Sequence, residues 1–186
     1  MSEQVVGYKG FGVDLICRNF QFKVGETYHH EGDVIACKSG FHFCKELEDV
    51  FQYYSYGVYC RVVGSGKVHT AEDKTVAETI HIVELLQGRF ESGGHVFYFD
   101  KGRLHRDEDL PAMELAGGSK IFCQNGVRHR DYNLPAEVWA DGTRCYLQHG
   151  VYHRGGILPA VEFANGEKIF YKKGELIRHK NQSRCI

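Results

Sequence analysis

The chain has 186 residues, with 23 Lys and Arg against 24 Asp and Glu, for a formal net charge of −1 at pH 7. That balance argues against a general electrostatic grip on nucleic acid, and no apolar run reaches membrane length. The seven cysteines are odd in number and scattered, which fits free thiols in a reducing compartment better than a stapled scaffold.

The polar, acidic start Met1-Ser2-Glu3-Gln4 lacks a signal-peptide pattern, so the expected location is cytoplasmic. Val6 to Phe11 reads as a short strand, Phe20 to Gly25 alternates and then turns, and Asp33 to Cys37 reads as another strand. Lys45 to Tyr54 places Leu47, Val50, Phe51 and Tyr54 at helical spacing and predicts a helix. Val58 to Gly64 follows as a strand, and Thr75 to Leu86 favours a strand at its end through the alternation of Ile80 to Leu85. The expectation is α+β: a small mixed α+β domain over 1–87, then an antiparallel β-hairpin repeat array over 88–186.

The array is legible as a fixed period. Leu110-Pro111-Ala112, Leu134-Pro135-Ala136 and Leu158-Pro159-Ala160 are 24 residues apart, as are His105-Arg106, His129-Arg130 and His153-Arg154. Gly102, Gly126, Gly150 and Gly174 keep the same step. Constant spacing marks a repeat whose unit buries its apolar face against the next copy. Gly117-Gly118, Asp141-Gly142 and Asn165-Gly166, with Gly93-Gly94 before them, predict two-residue type I′ hairpin loops. All three prolines occupy one column, where a strand begins without needing an N–H partner.

Few constellations carry chemistry. Cys37, His42 and Cys44, with Cys60 or His30 as a fourth, are too few and irregular for structural zinc and read as small buried thiols. Gly64-Ser65-Gly66-Lys67 lacks the spacing and following helix of a phosphate loop and reads as a glycine-rich hairpin turn. His29-His30 reads as an exposed turn. No metal or cofactor is expected.

The 24-residue unit, with its aromatic strand, Asp/Asn-Gly turn and closing glycine, resembles MORN-type and related antitoxin-like β-hairpin repeats. His-Arg and Leu-Pro-Ala replace the usual signature, so a membrane role is not implied. Tyr8-Lys9-Gly10-Phe11, Cys17-Arg18, Ser39 to Cys44 and Tyr53-Tyr54 resemble an uncharacterised domain of phage and bacterial genomes, which implies a viral or prophage setting. Tyr8-Lys9-Gly10, and Ser39-Gly40-Phe41-His42 ahead of the helix, are also similar to the ADP-ribosyltransferase scaffold. That likeness implies a nucleotide pocket lined by Tyr8, Lys9 and His42, although Lys9 stands where such enzymes place Arg or His. Glu78 and Glu84 are the available carboxylates, and neither belongs to a catalytic motif.

The repeated cations allow two readings. As brackets, Arg106, Arg130 and Arg154 pair with groups of adjacent copies, and His105, His129 and His153 cap the loop before each proline. As a binding row, the three guanidiniums stand about 10 Å apart, two strands per copy, and grip phosphates or acidic side chains. The leading functional expectation is a non-catalytic, phage-encoded binding protein with a counter-defence role, one that sequesters or blocks a host factor, either a nucleotide signal or a defence protein. The alternatives are an ADP-ribosyltransferase-like enzyme acting through the N-terminal domain, and a structural module whose open β edge docks to itself or another chain.

Overall fold

A computed structural model describes residues 4–36 and 38–180. It is nearly all β, with 49% of residues in strands and 4% helical, which corrects the α+β expectation. The helix predicted over Lys45 to Tyr54 shrinks to α1 (Leu47–Val50), followed by turn hydrogen bonds from the N–H groups of Phe51, Gln52 and Tyr53. Leu47 and Val50 are buried, but the stretch supplies just two fully buried anchors. A single turn is too short to hold itself together without them. Among the described residues, no helix is long and apolar enough to cross a membrane.

The chain divides into two compact units, 1–88 with 100–103, and 89–99 with 104–186. In the first, β1 (Val5–Phe11) pairs antiparallel with β6 (Val58–Ala71), and β6 with β7 (Lys74–Leu85). Both β4 (Thr27–His29) and β5 (Phe41–Phe43) pair with β7 at different heights. Just past β5, Cys44 exchanges backbone hydrogen bonds with Tyr8 of β1, at 2.7 and 2.9 Å. The sheet therefore closes through β1, β6, β7 and β5 into a small barrel. Its core gathers Phe11, Phe22, Phe43, Cys60, Val62, Ala77, Ile80 and Ile82. Closure needs glycine at Gly7, where a Cβ would stand 2.4 Å from the Cys44 carbonyl oxygen and 2.6 Å from the Phe43 ring.

Other expectations shift for local reasons. Ile35 forms only an isolated bridge with Ser39 instead of a strand, and Cys37 lies outside the described residues. The hairpin turn expected at Gly64 to Lys67 is a bulge inside the 14-residue β6, where the register slips between Ser65 and Val68. The extra residues let the Lys67 N–H reach the Glu78 carboxylate at 3.2 Å. His29 is part of β4 and not a turn.

The second unit is built on a ten-stranded antiparallel sheet. Each copy contributes two short strands, such as Met113–Glu114 with Lys120–Ile121 and Glu137–Val138 with Arg144–Cys145. Successive pairing sets Phe97, Met113, Ile121, Glu137, Cys145, Val161 and Ile169 in one row. The adjacent row points to the other face and matches Glu114 with Lys120, Arg144 with Glu162, and Glu162 with Lys168. Opposite charges directly across a pair stabilise a sheet by a few tenths of a kcal/mol each.

Gly93-Gly94 has the positive φ at both residues that a type I′ loop needs, between strands that pair, but the other type I′ turns fall elsewhere than expected. At Asp141-Gly142 and Asn165-Gly166 only the glycine has positive φ, and the Gly142 and Gly166 N–H groups donate to Trp139 and Phe163. That is a type I turn closed by a left-handed glycine, a three-residue loop. Both residues of Asn125-Gly126 and His149-Gly150 have positive φ, and each pair closes a two-residue hairpin between flanking strands, so these are the type I′ turns.

Candidate functional site

The first unit encloses a cavity of about 580 Å³ whose lining includes Tyr8, Lys9 and His42. Residues 33 apart in sequence meet because the Tyr8 and Cys44 backbones pair, which draws the end of β5 alongside β1. Lys9 Nζ then donates to the His42 carbonyl oxygen at 2.8 Å. Strand alternation puts Lys9 in phase with Val5, Gly7 and Phe11, so the ammonium enters the barrel where an apolar side chain would serve packing better. It is 6% exposed, 5.4 Å from the Phe11 ring centroid and 5.9 Å from that of Tyr54.

Burial holds the Lys9 pKa below the usual lysine range; Arg18 pushes the same way, against the opposing influence of Cys17 and Cys44. Burial also lowers His42, with the Lys9 cation as the next cause. Among the described residues no ion pair includes Lys9, and no carboxylate lines the cavity. Glu84 sits 3.5 Å from Arg61, and Glu78 is occupied at the β6 bulge.

The walls are aromatic. Phe20, Phe22, Tyr28 and Phe41 meet edge to face, with centroid separations from 4.8 to 6.2 Å, the arrangement that ring quadrupoles favour. Tyr54 lies flat on Gly10, where a Cβ would come within 2.5 Å of its ring, and its hydroxyl is 3.3 Å from the Cys17 sulfur. Tyr53 donates to Asp73 and carries Lys74 Nζ 3.6 Å above its ring. Arg18 and Lys74 bring further positive charge to the lining.

Sequence reasoning picked out Tyr8, Lys9 and His42 but assigned no role to Arg18, Tyr28, Tyr53, Tyr54 or Lys74. Cys17-Arg18 and Tyr53-Tyr54 stood within the N-terminal resemblance without a geometry to join them. The available signal was the lysine in phase with Val5, Gly7 and Phe11. The thiols offer little chemistry. Burial pushes Cys44 and Cys60 up to about 12, so both stay protonated. Among the described residues no three His, Cys, Asp or Glu side chains gather as metal ligands, and Cys37 is outside them.

The repeated cations take partners within the array. Arg106, Arg130 and Arg154 lie 3.7, 3.7 and 3.5 Å from the ring centroids of Tyr98, Phe122 and Tyr146. Each donates at 3.3 Å to the carbonyl of its own copy's proline. Each also has a carboxylate, Glu114 at 2.8 Å, Asp109 at 2.7 Å and Glu162 at 3.1 Å. His105, His129 and His153 accept through Nδ1 from the backbone N–H of Asn125, His149 and Lys173, always 20 residues on. Those three residues open the next copy's type I′ turn, so each histidine ties one copy to its successor. With these boundaries only Arg130 takes its carboxylate, Asp109, from another copy, and the histidines tie a different loop from the one expected.

An all-β closed sheet around an aromatic, cation-lined cavity, joined in sequence to a hairpin array, is the class of protein described by the fold and site. Residues 5–89, the stretch that forms the first unit's sheet, match the family model described as a domain of unknown function (DUF7666). No curated protein and no solved structure matches the chain. The comparisons give no support to the likenesses to MORN-type repeats or ADP-ribosyltransferases.

Proposed function

We propose that the protein is a non-catalytic binding protein whose first unit captures a small anionic ligand bearing a flat aromatic group, of the nucleotide class. The observation that carries this is Lys9: a buried ammonium held by the His42 carbonyl and the Cys17 thiol, without a carboxylate partner, at the wall of an aromatic cavity. Burying a cation in this state is costly unless something negative arrives to pair with it. The cavity volume suits one ligand of that size, and the rings offer faces on which a base can stack. In the phage setting implied by the N-terminal resemblance, sequestration of a host nucleotide signal is the counter-defence role that this site serves.

The test is thermal unfolding against a panel of mononucleotides, cyclic nucleotides and their uncharged nucleosides. A ligand that binds only the native state at 100 times its Kd adds about 2.7 kcal/mol. Phosphorylated members are expected to raise the midpoint, nucleosides to leave it unchanged, and Lys9→Met to abolish the rise. Equal shifts from nucleosides and nucleotides, or a Lys9→Met variant that still responds, would refute the reading.

A further inference from the structure

The second unit carries a groove of about 560 Å³ on the face that bears the apolar row, formed by its second and third copies. Its aromatic lining is Trp139, Tyr152, Phe163 and Tyr171; its charged lining is Glu137 and Asp141, and no cation is among its described residues. Tyr152 and Tyr171 are stacked with centroids 5.1 Å apart, and Trp139 and Phe163 are 38% and 36% exposed.

The repeat supplies its own control. In the Trp139 and Phe163 column the first copy has Leu115, and in the Tyr152 column it has Arg128. In the Glu137 column the neighbouring copies have Met113 and Val161. A sheet that needs only to pack is satisfied by Leu, Met and Val, so the aromatics and the acid are additions at one place in the array. Glu137 is 5% exposed in an otherwise apolar row, takes Arg128 at 2.8 Å and accepts from Trp139 Nε1 at 3.3 Å, which fixes the indole beside a carboxylate. Asp141 accepts from the N–H and hydroxyl of Thr143 and keeps its charge on the lining.

Ring faces beside the Asp141 carboxylate, which no cation of the groove lining offsets, recognise an alkylated ammonium, whose spread charge sheds water easily and meets the negative faces of the rings. We infer that the groove over Trp139 and Phe163 is a binding site for a quaternary ammonium group. This site is independent of the first unit's cavity, and its charge preference is the opposite one.

Trp139 is the only tryptophan in the chain, so its emission reports on the groove directly. The full chain is titrated with choline, with the uncharged isostere in which carbon replaces the quaternary nitrogen, and with a trimethyllysine peptide of otherwise neutral composition. Choline or the peptide is expected to change the emission saturably, with the isostere at least tenfold weaker. The tighter of the two cations identifies whether the group is presented by a small molecule or by a protein. Phe163→Leu and Asp141→Asn are each expected to weaken binding at least threefold. Both are residues that the array already carries in those columns, as Leu115 and Asn165, and Asn165 accepts the Glu167 N–H at 2.9 Å as Asp141 accepts that of Thr143. An isostere that binds as well as choline, emission unchanged by both cations, or affinity unchanged in both variants would each overturn the assignment.

Discussion

Two buried charges interrupt otherwise apolar rows, Lys9 in β1 of the first unit and Glu137 in the array, and they are treated in opposite ways. Glu137 has a full partner, Arg128 at 2.8 Å, supplied by the ribbon that precedes its own strand. Lys9 has one carbonyl, the Cys17 thiol and two aromatic rings, and no carboxylate among the described residues. A compensated charge costs the folded state little, whereas an uncompensated one carries a burial penalty, and that penalty is the support for the ligand proposed at Lys9. The enclosing sheets differ too: the barrel is closed by a single pair of backbone bonds between Tyr8 and Cys44, while the array repeats its brackets every 24 residues.

The difference in closure yields the largest expected effect. Gly7→Ala forces a methyl against the Cys44 carbonyl and the Phe43 ring, so chemical denaturation is expected to show the first unit destabilised by about 3 kcal/mol. In the array, Gly117→Ala meets nothing within 4 Å and does not need positive φ. Its stability is expected to stay within about 0.5 kcal/mol of the parent. Equal losses from the two would show that closure is not the weak point.

The compensated charge sets the next step. Arg128→Ala leaves the Glu137 carboxylate buried without its cation, an expected loss of about 2 kcal/mol, less than for a fully buried pair because Arg128 is half exposed. Restoring the column's apolar character with the double change Arg128→Ala and Glu137→Met is expected to recover most of it, since Met113 already fills that row. A double variant no more stable than the single one would show that the pair is worth more than its charges.

Periodicity explains why the array could be read from sequence and the site could not. The Leu-Pro-Ala, His-Arg and glycine columns state the hairpins three times over, so an error in one copy is corrected by the others. Even so, the turns at Asp141-Gly142 and Asn165-Gly166 are of another type than expected, because Asp-Gly and Asn-Gly are compatible with both type I′ and type I with a following glycine, and strand spacing decides between them. The first unit states each element once. Leu47, Val50, Phe51 and Tyr54 have helical spacing, yet the regular helix stops at Val50, with the Tyr54 N–H still donating to the Val50 carbonyl and the Tyr54 ring packed against Gly10. Lys9 was visible, but the Tyr8 to Cys44 closure that brings it to His42 is a long-range pairing without a local signature.

Lys9 itself then separates stability from binding. Lys9→Met is expected to stabilise the free first unit by on the order of 1 kcal/mol at pH 7, as removal of a functional burial cost often does. The sign follows from the depressed pKa. Well below it both states hold the proton and the burial penalty is complete. As pH rises from the folded value towards 10.5 the folded state sheds its proton first, and stability grows. The advantage of Lys9→Met should therefore narrow between pH 7 and pH 10 in urea melts. A constant gap would place the gain in packing rather than charge.

The smallest effect lies at an exposed bracket and tests whether the array's pairs are individually worth much. Arg130 grips Asp109 with two donors, at 2.7 and 2.9 Å, and holds that carboxyl below its usual range, chiefly through this hydrogen bonding. A depressed acid contributes stability above pH 3.8 that is lost as pH falls through the folded-state value. Asp109 is nearly half exposed, so screening limits Asp109→Asn to about 0.5 kcal/mol at pH 7, vanishing in acid. The third copy shows that the array tolerates the loss: Asn133 precedes Arg154 by the same 21 residues that separate Asp109 from Arg130, and Arg154 turns instead to Glu162. A loss above about 2 kcal/mol, or one that persists at pH 2, would mean that Asp109, which with Glu108 has positive φ in the turn where the Leu110 N–H donates to the Asp107 carbonyl, supports that turn more than it pairs with Arg130. In that case the array would be held by its turns, with the guanidiniums secondary to the rings on which they lie.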